Sequence, residues 1–254
     1  MPRHVLITAG GSGIGLAMAE AFAARGDLVA VTDNDPAMLD ALAKTHPEFL
    51  CFAADASSED DMKQVFTTLR SLWSRLDILM ANAGIAGPTA AVEDVTLADW
   101  QRCIAVNLDG AFLATSMATP WMKEQGQGVM TLTSSTAGLF GYPYRSPYAA
   151  AKWGIVGLTK TLAMELGPSG IRVNAICPGS VEGDRMDRVI ANEAKARGMT
   201  ADELRQGYAD LVSLKRFVSA ADIANMAVFL ASPEAANVTG MAMAVDGHTE
   251  KVTL

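Results

Sequence analysis

The chain has 254 residues, half of them hydrophobic, with 20 lysines and arginines against 28 aspartates and glutamates for a net charge of −8. That length buries one substantial core, and the acidic balance offers no general attraction to nucleic acid or to anionic lipid. Three widely spaced cysteines, Cys51, Cys103 and Cys177, argue against a disulfide framework and predict buried free thiols in a reducing cytoplasm. Without an apolar signal core after Met1 or an unbroken apolar run of spanning length, the expectation is a soluble, cytoplasmic protein with no membrane partner.

In chain order, the aliphatic and β-branched runs at 4–9, 28–33, 49–54, 77–82, 128–134, 171–176 and 241–245 read as buried strands. Helical patterns at 14–25, 58–74, 97–124, 148–166 and 220–231 fall between them, with Gly26 and Gly167 just past two ends and Ser219 capping the last. This alternation predicts an α/β fold: a doubly wound parallel sheet, Rossmann-like, of about seven strands, with helices on both faces and right-handed crossovers. Residues 1–254 read as a single domain, with ligands at the strands' carboxyl ends. The charged stretch 178–214 breaks the rhythm and reads as a substrate lid, a plain surface excursion being the competing reading.

The first chemical motif is TAGGSGIG, Thr8 to Gly15. Glycines there let backbone approach a pyrophosphate, whose charge meets the amides of the helix starting near Ile14; a merely tight turn is the alternative. Asp33 ends the second strand, where a carboxylate can accept hydrogen bonds from an adenosine ribose and repels a 2′-phosphate. That favours NAD over NADP, and Asn34 beside it gives a phosphate no cationic partner. Asp33 could instead cap a helix beginning at PAML.

The second motif is SPYAAAKWG, Ser146 to Gly154. Pro147 suits the first turn of a helix, so Tyr148 and Lys152 stand one turn apart on one face near its positive end. The lysine and the helix dipole both favour phenolate. An ordinary amphipathic helix with a snorkelling lysine is the other reading. Thirteen residues upstream, Ser135 closes the strand GVMTLTS, where it would present a hydroxyl beside Tyr148.

With these residues in order, the chain resembles the short-chain dehydrogenase/reductase family, in its short subgroup, over nearly its whole length. TAGGSGIG is similar to that family's TGxxxGxG turn, assigning Gly10, Ser12, Gly13, Ile14 and Gly15 to the cofactor; DAS at 55–57 matches its adenine-binding aspartate, giving Asp55 and Ala56. ANAG resembles its NNAG, giving Asn82, Ala83 and Gly84, while Pro178, Gly179 and Val181 follow the sixth strand beside the nicotinamide. VNLDG carries the family's catalytic asparagine, Asn107, and Ser135, Tyr148 and Lys152 complete the catalytic set. The resemblance implies hydride transfer between a secondary alcohol, or its ketone, and nicotinamide. Tyr148 would act as base or acid, Ser135 would hold the substrate oxygen, Lys152 would lower the tyrosine's pKa and bind the nicotinamide ribose, and Asn107 would hold a relay water. It also implies a homotetramer through the helices at 97–124 and 148–166, with Trp121, Trp153 and Leu158 as candidate contacts against a competing role in the core. Three departures stand out. Ala9 replaces the first glycine of the turn and predicts a slightly altered turn with binding kept, Ala81 replaces the first asparagine of NNAG, and His248 stands where a second glycine after Asp-Gly is common.

Tyr142, Tyr144, Arg145, Arg185 and Arg188 are candidates to face the substrate, and an arginine there would suit a carboxylate, sulfonate or phosphate. Alternatively, Arg185 and Arg188 pair with Glu182, Asp184 or Asp187, and Arg145 lies at a subunit contact. His4 and His46 have no neighbours at metal-ligand spacing, so no metal is expected. A catalytically silent dinucleotide-binding scaffold or redox sensor is the alternative function, disfavoured because none of the four catalytic residues is missing. An epimerase or dehydratase of the extended relatives would need a larger C-terminal domain and a TGxxGxxG turn.

Overall fold

Strands buried on both faces by a parallel sheet need near-continuous apolar runs, and the chain supplies them: β1 (His4–Thr8), β2 (Leu28–Asp33), β3 (Leu50–Ala53), β4 (Ile78–Ala81), β5 (Gly128–Thr133), β6 (Ile171–Pro178) and β7 (Ala242–Val245). The computed structural model describes residues 2–249. All the pairings are parallel and the sheet order is β3-β2-β1-β4-β5-β6-β7. The chain reverses its direction of travel across the sheet between β1 and β4, which opens a crevice at their carboxyl ends.

The helices are α1 (Gly13–Ala23), α2 (Pro36–Thr45), α3 (Glu59–Leu72), α4 (Leu97–Ile104), α5 (Gly110–Gln125), α6 (Ser146–Leu166), α7 (Asp184–Arg197), α8 (Ala201–Asp210) and α9 (Ala220–Leu230). Met62, Leu69, Met122 and Ile155 of α3, α5 and α6 close one side of the sheet; Met18, Phe22, Ile223 and Ala227 of α1 and α9 close the other. The stretch 178–214 folds mainly as a helix pair, α7 and α8, with its own small core of Ile190, Ala194, Leu204, Tyr208 and Leu211. Ser219 starts α9 in a capping box with Asp222.

Several expectations need correction. The helix predicted over 97–124 is broken: α4 and α5 are separated by a π-helical turn, Ala105–Asp109, that carries Asn107. β5 stops at Thr133, so Ser135 lies beyond the strand and caps a single turn, Thr136–Gly138. Gly167 does fall just past the end of α6, with φ −52°, and the left-handed turn comes three residues later at Gly170, φ 72°. Trp121, on the buried side of α5, is a core residue with the Arg70 guanidinium 5.0 Å from its ring centre, whereas Trp153 is half exposed. Cys51 is only partly buried; Cys103 and Cys177 are fully so. No helix of the described residues is long and apolar enough to cross a membrane.

Candidate active site

The β1–α1 turn is narrow because Gly15 packs against the Ala9 carbonyl, where any Cβ would overlap it. Ala9 takes φ 51°, in the left-handed region, so the turn keeps its path with an alanine where glycine is favoured. Asn82 pins the turn: its Nδ2 donates to the carbonyls of Thr8 (3.1 Å) and Ala9 (3.2 Å), and its Oδ1 accepts from Thr133. The Thr8 hydroxyl accepts from the amides of Asn82 and Ala83. Ser12, Gly13, Ile14 and Gly15 line the cleft, and Ser12 makes no side-chain cap, so the N-terminus of α1 faces it uncapped.

Asp33 stands at the edge of the same cleft. It accepts from the Gly11 amide at 3.1 Å and the Asp35 amide at 3.3 Å. The cap of α2 is Asp35, which accepts from the amides of Ala37 and Met38, so Asp33 is not the helix cap. Gly10 does not line the cleft, and a Cβ there would overlap Val31. Asp55 accepts from Ser57 and pairs with Arg102 at 3.1 Å; burial works against the ionised form, but these bonds hold its carboxyl below the usual range. Neither it, Ala56 nor Ala83 lines the cleft, whereas Asn82, Gly84, Pro178, Gly179 and Val181 do.

At the other end of the cleft, Ser135, Tyr148 and Lys152 come together. Lys152 is buried; its Nζ donates to the Thr133 carbonyl at 2.8 Å and lies 5.5 Å from the Tyr148 ring centre. Burial would raise the Tyr148 pKa, but the charge of Lys152, then Arg185, the Ser135 hydroxyl and Arg145 outweigh it, and the phenol titrates below its ordinary value. Burial is also the main reason that Lys152 titrates below an ordinary lysine. The π turn aims Asn107 at the same place. Its Nδ2 is held by the carbonyls of Ile85 (3.0 Å) and Cys103 (2.9 Å), while its Oδ1 is buried with no partner.

Arg145 lies against both Tyr142 and Tyr148, its Cζ 5.8 and 4.8 Å from their ring centres. It is buried, not on a surface available to a subunit contact. Among the described residues Arg185 and Arg188 have no ion pair; Asp187 pairs instead with Arg205. Tyr144 points away from the cleft and lies against Arg197. The α7–α8 pair is latched to the loop before α6 by a polar chain not anticipated from sequence: Tyr142 donates to Tyr208 at 2.6 Å, Tyr208 donates to the buried Glu193 at 2.5 Å, and Glu193 pairs with Arg197 at 2.7 Å. Burial pushes the Tyr142 phenol up to about 12. Thr8, Thr133 and Cys103 were also missed; the only signal for the threonines is their place at the carboxyl ends of β1 and β5. Among the described residues no cluster could hold a metal.

A cleft of about 780 Å³, uncapped helix at one end and a lysine-supported phenol at the other, fits an extended dinucleotide, and such a molecule is a nucleotide-dependent α/β enzyme. A family model described as Enoyl-(Acyl carrier protein) reductase matches residues 8–248. The D-beta-hydroxybutyrate dehydrogenase of Rhizobium meliloti (strain 1021) is 33% identical over 260 residues, covering 97% of this chain and 98% of the relative. The levodione reductase of Leifsonia aquatica is 35% identical over 254 residues, covering 96% and 93%. The crystal structure of NAD+-bound xylitol dehydrogenase shares 29% identity over 96% of this chain and 98% of that one, with a TM-score of 0.92. The chain belongs to the short-chain dehydrogenase/reductase family. It is thus an oxidoreductase.

Proposed function

We propose that the enzyme moves a hydride between a secondary alcohol, or its ketone, and NAD, with Tyr148 as general base and acid. The observation that carries this reading is the meeting of Ser135, Tyr148 and Lys152 at one end of a cleft that also holds Asp33, with the unpartnered Asn107 Oδ1 beside Gly84 and Lys152 though not itself in the cleft lining.

The amides of Ser12 to Gly15 would hold the pyrophosphate, Asp33 the adenosine ribose, and Asn82, Gly84, Pro178, Gly179 and Val181 would flank the nicotinamide. When bound, the nicotinamide supplies the carbon that accepts or returns the hydride. In oxidation the Tyr148 phenolate takes the alcohol proton; in reduction the phenol gives it back. The Ser135 hydroxyl steadies the substrate oxygen as its charge changes. Lys152 lowers the Tyr148 pKa by its charge, which favours the phenolate, and would bind ribose hydroxyls. Asn107 Oδ1, with its Nδ2 fixed by two carbonyls, is set to accept from a water that connects Lys152 to solvent. The Asp33 carboxylate would meet a 2′-phosphate with like charge, which favours NAD over NADP. The exposed Phe112 and Trp153 and the strongly exposed Met164 of α5 and α6 support burial of that face in a homotetramer.

The test is reduced-nicotinamide absorbance with NAD or NADP across secondary alcohols, polyols and hydroxy acids. Turnover with NAD at least about tenfold more efficient than with NADP is expected, a margin of roughly 1.4 kcal/mol; silence with every compound would return the molecule to a binding scaffold.

A further inference from the structure

Two guanidinium groups approach the reacting end of the cleft with most of their hydrogen-bonding capacity unused. Arg145, at the N-cap of α6, is 4% exposed. Its Nη2 donates to the Ala86 carbonyl at 2.8 Å, its Nε is buried without a partner, and among the described residues no carboxylate pairs with it. A buried cation with no counter-charge is among the costliest arrangements in a protein interior. The Tyr142 and Tyr148 rings lie within cation–π range of the guanidinium but supply no full negative charge.

Arg185 reaches in from the opposite wall. It lies in the first turn of α7, and its Nη1 donates across the cleft to the Gly84 carbonyl at 3.1 Å. Glu182 and Asp184 line the same cleft, yet among the described residues neither pairs with Arg185, and Asp187 is engaged by Arg205. Both arginines act on the Tyr148 phenol, so their fields overlap where the substrate oxygen would sit.

We infer that Arg145 and Arg185 are specificity-determining residues that bind an anionic group, a carboxylate in its simplest form, on the substrate itself, so that the enzyme prefers short hydroxy or oxo acids to neutral alcohols. This rests on the hydride-transfer reading above. Arg145 Cζ is 4.8 Å from the centre of the Tyr148 ring, which leaves only a few bonds between the acid group and the carbinol carbon. The guanidinium fork matches a carboxylate in plane and charge. The rival role, in which the arginines only tune Tyr148, would affect acidic and neutral substrates alike; anion binding affects the acids selectively.

The experiment pairs lactate, 3-hydroxybutanoate and 4-hydroxypentanoate with their methyl esters as substrates for the wild type, Arg145→Met and Arg185→Met. The wild type should favour the acid in at least one pair by about 10- to 100-fold in kcat/KM, the range for a charge-assisted hydrogen bond, and either variant should collapse that ratio, chiefly through KM of the acid. Calorimetry with acetate, propanoate and butanoate gives a readout that needs no turnover: heat with the wild type and with Tyr148→Phe, and its loss in Arg185→Met, an exposed position whose folding is not at issue should Arg145→Met fail to fold. Esters used as well as acids, with no carboxylate heat, would overturn the inference and leave hydride transfer standing. If no compound reacts at all, the hydride-transfer reading fails, and the calorimetry still decides the anion site: heat lost in Arg185→Met supports it, and no heat with the wild type removes it.

Discussion

Gly84→Ala places one methyl group at the point where Asn107 and Lys152 converge. Gly84 has no positive φ, so alanine meets no backbone penalty, and its effect is purely one of space. A Cβ there would lie 2.6 Å from Asn107 Oδ1 and 3.3 Å from Lys152 Nζ, which calls for a displacement approaching ~1 Å before ordinary contact is restored. Neither neighbour yields freely: Asn107 Nδ2 is fixed by Ile85 and Cys103, and Lys152 Nζ by Thr133 at 2.8 Å. Overpacking of this kind costs about 1–3 kcal/mol, and a misplacement of about 1 Å at a reacting centre can cost about 100-fold in rate. Steady-state kinetics with the best substrate should show kcat reduced by about 10- to 100-fold, with thermal unfolding lowered by several degrees. Gly141→Ala, where an added Cβ meets nothing within 4 Å, is the control. Gly84→Ala activity within twofold of wild type at unchanged Tm would refute the placement of Asn107 and Lys152 around one shared space.

Ala9→Gly should stabilise the protein. An L-residue in the left-handed region costs about 1–2 kcal/mol, and after glycine's greater freedom in the unfolded chain is subtracted a gain of about 0.5–1 kcal/mol remains, or about 1–4 °C in Tm for a chain of this size; scanning calorimetry showing no rise would contradict the φ of 51°. Lys152→Met should move the pH profile. Burial of Tyr148 raises its pKa and Lys152 is the largest influence lowering it, so loss of that charge raises the phenol pKa. Oxidation, which needs phenolate, then begins at higher pH, and reduction, which needs the phenol, persists to higher pH. An unmoved kcat/KM profile in both directions would remove Lys152 from that role.

The strands were legible because a sheet covered on both faces requires unbroken apolar runs, and LVAVTD or IRVNAI admit few other readings. The break between α4 and α5 was not, because the apolar pattern continues across it; the π turn is accompanied by Asn107 bonding to Ile85, a residue from a distant loop. Asp33 and Asp35 are equally good caps by composition, and only the path of the chain decides between them. Arg145 stood out in GYPYRSP, but its burial depends on packing against Tyr142 and Tyr148. The Tyr142–Tyr208 contact joins residues 66 apart in sequence, a relation that no local pattern encodes.

The central claim is that Tyr148 handles the proton while its neighbours only support it. Turnover and NAD binding measured on Tyr148→Phe test it most directly: the account predicts activity below about 1% of wild type, in keeping with a general acid–base contribution of about 10²- to 10⁴-fold, with NAD affinity nearly intact. Activity retained at more than a few per cent of wild type, with the protein folded and NAD bound, would contradict it.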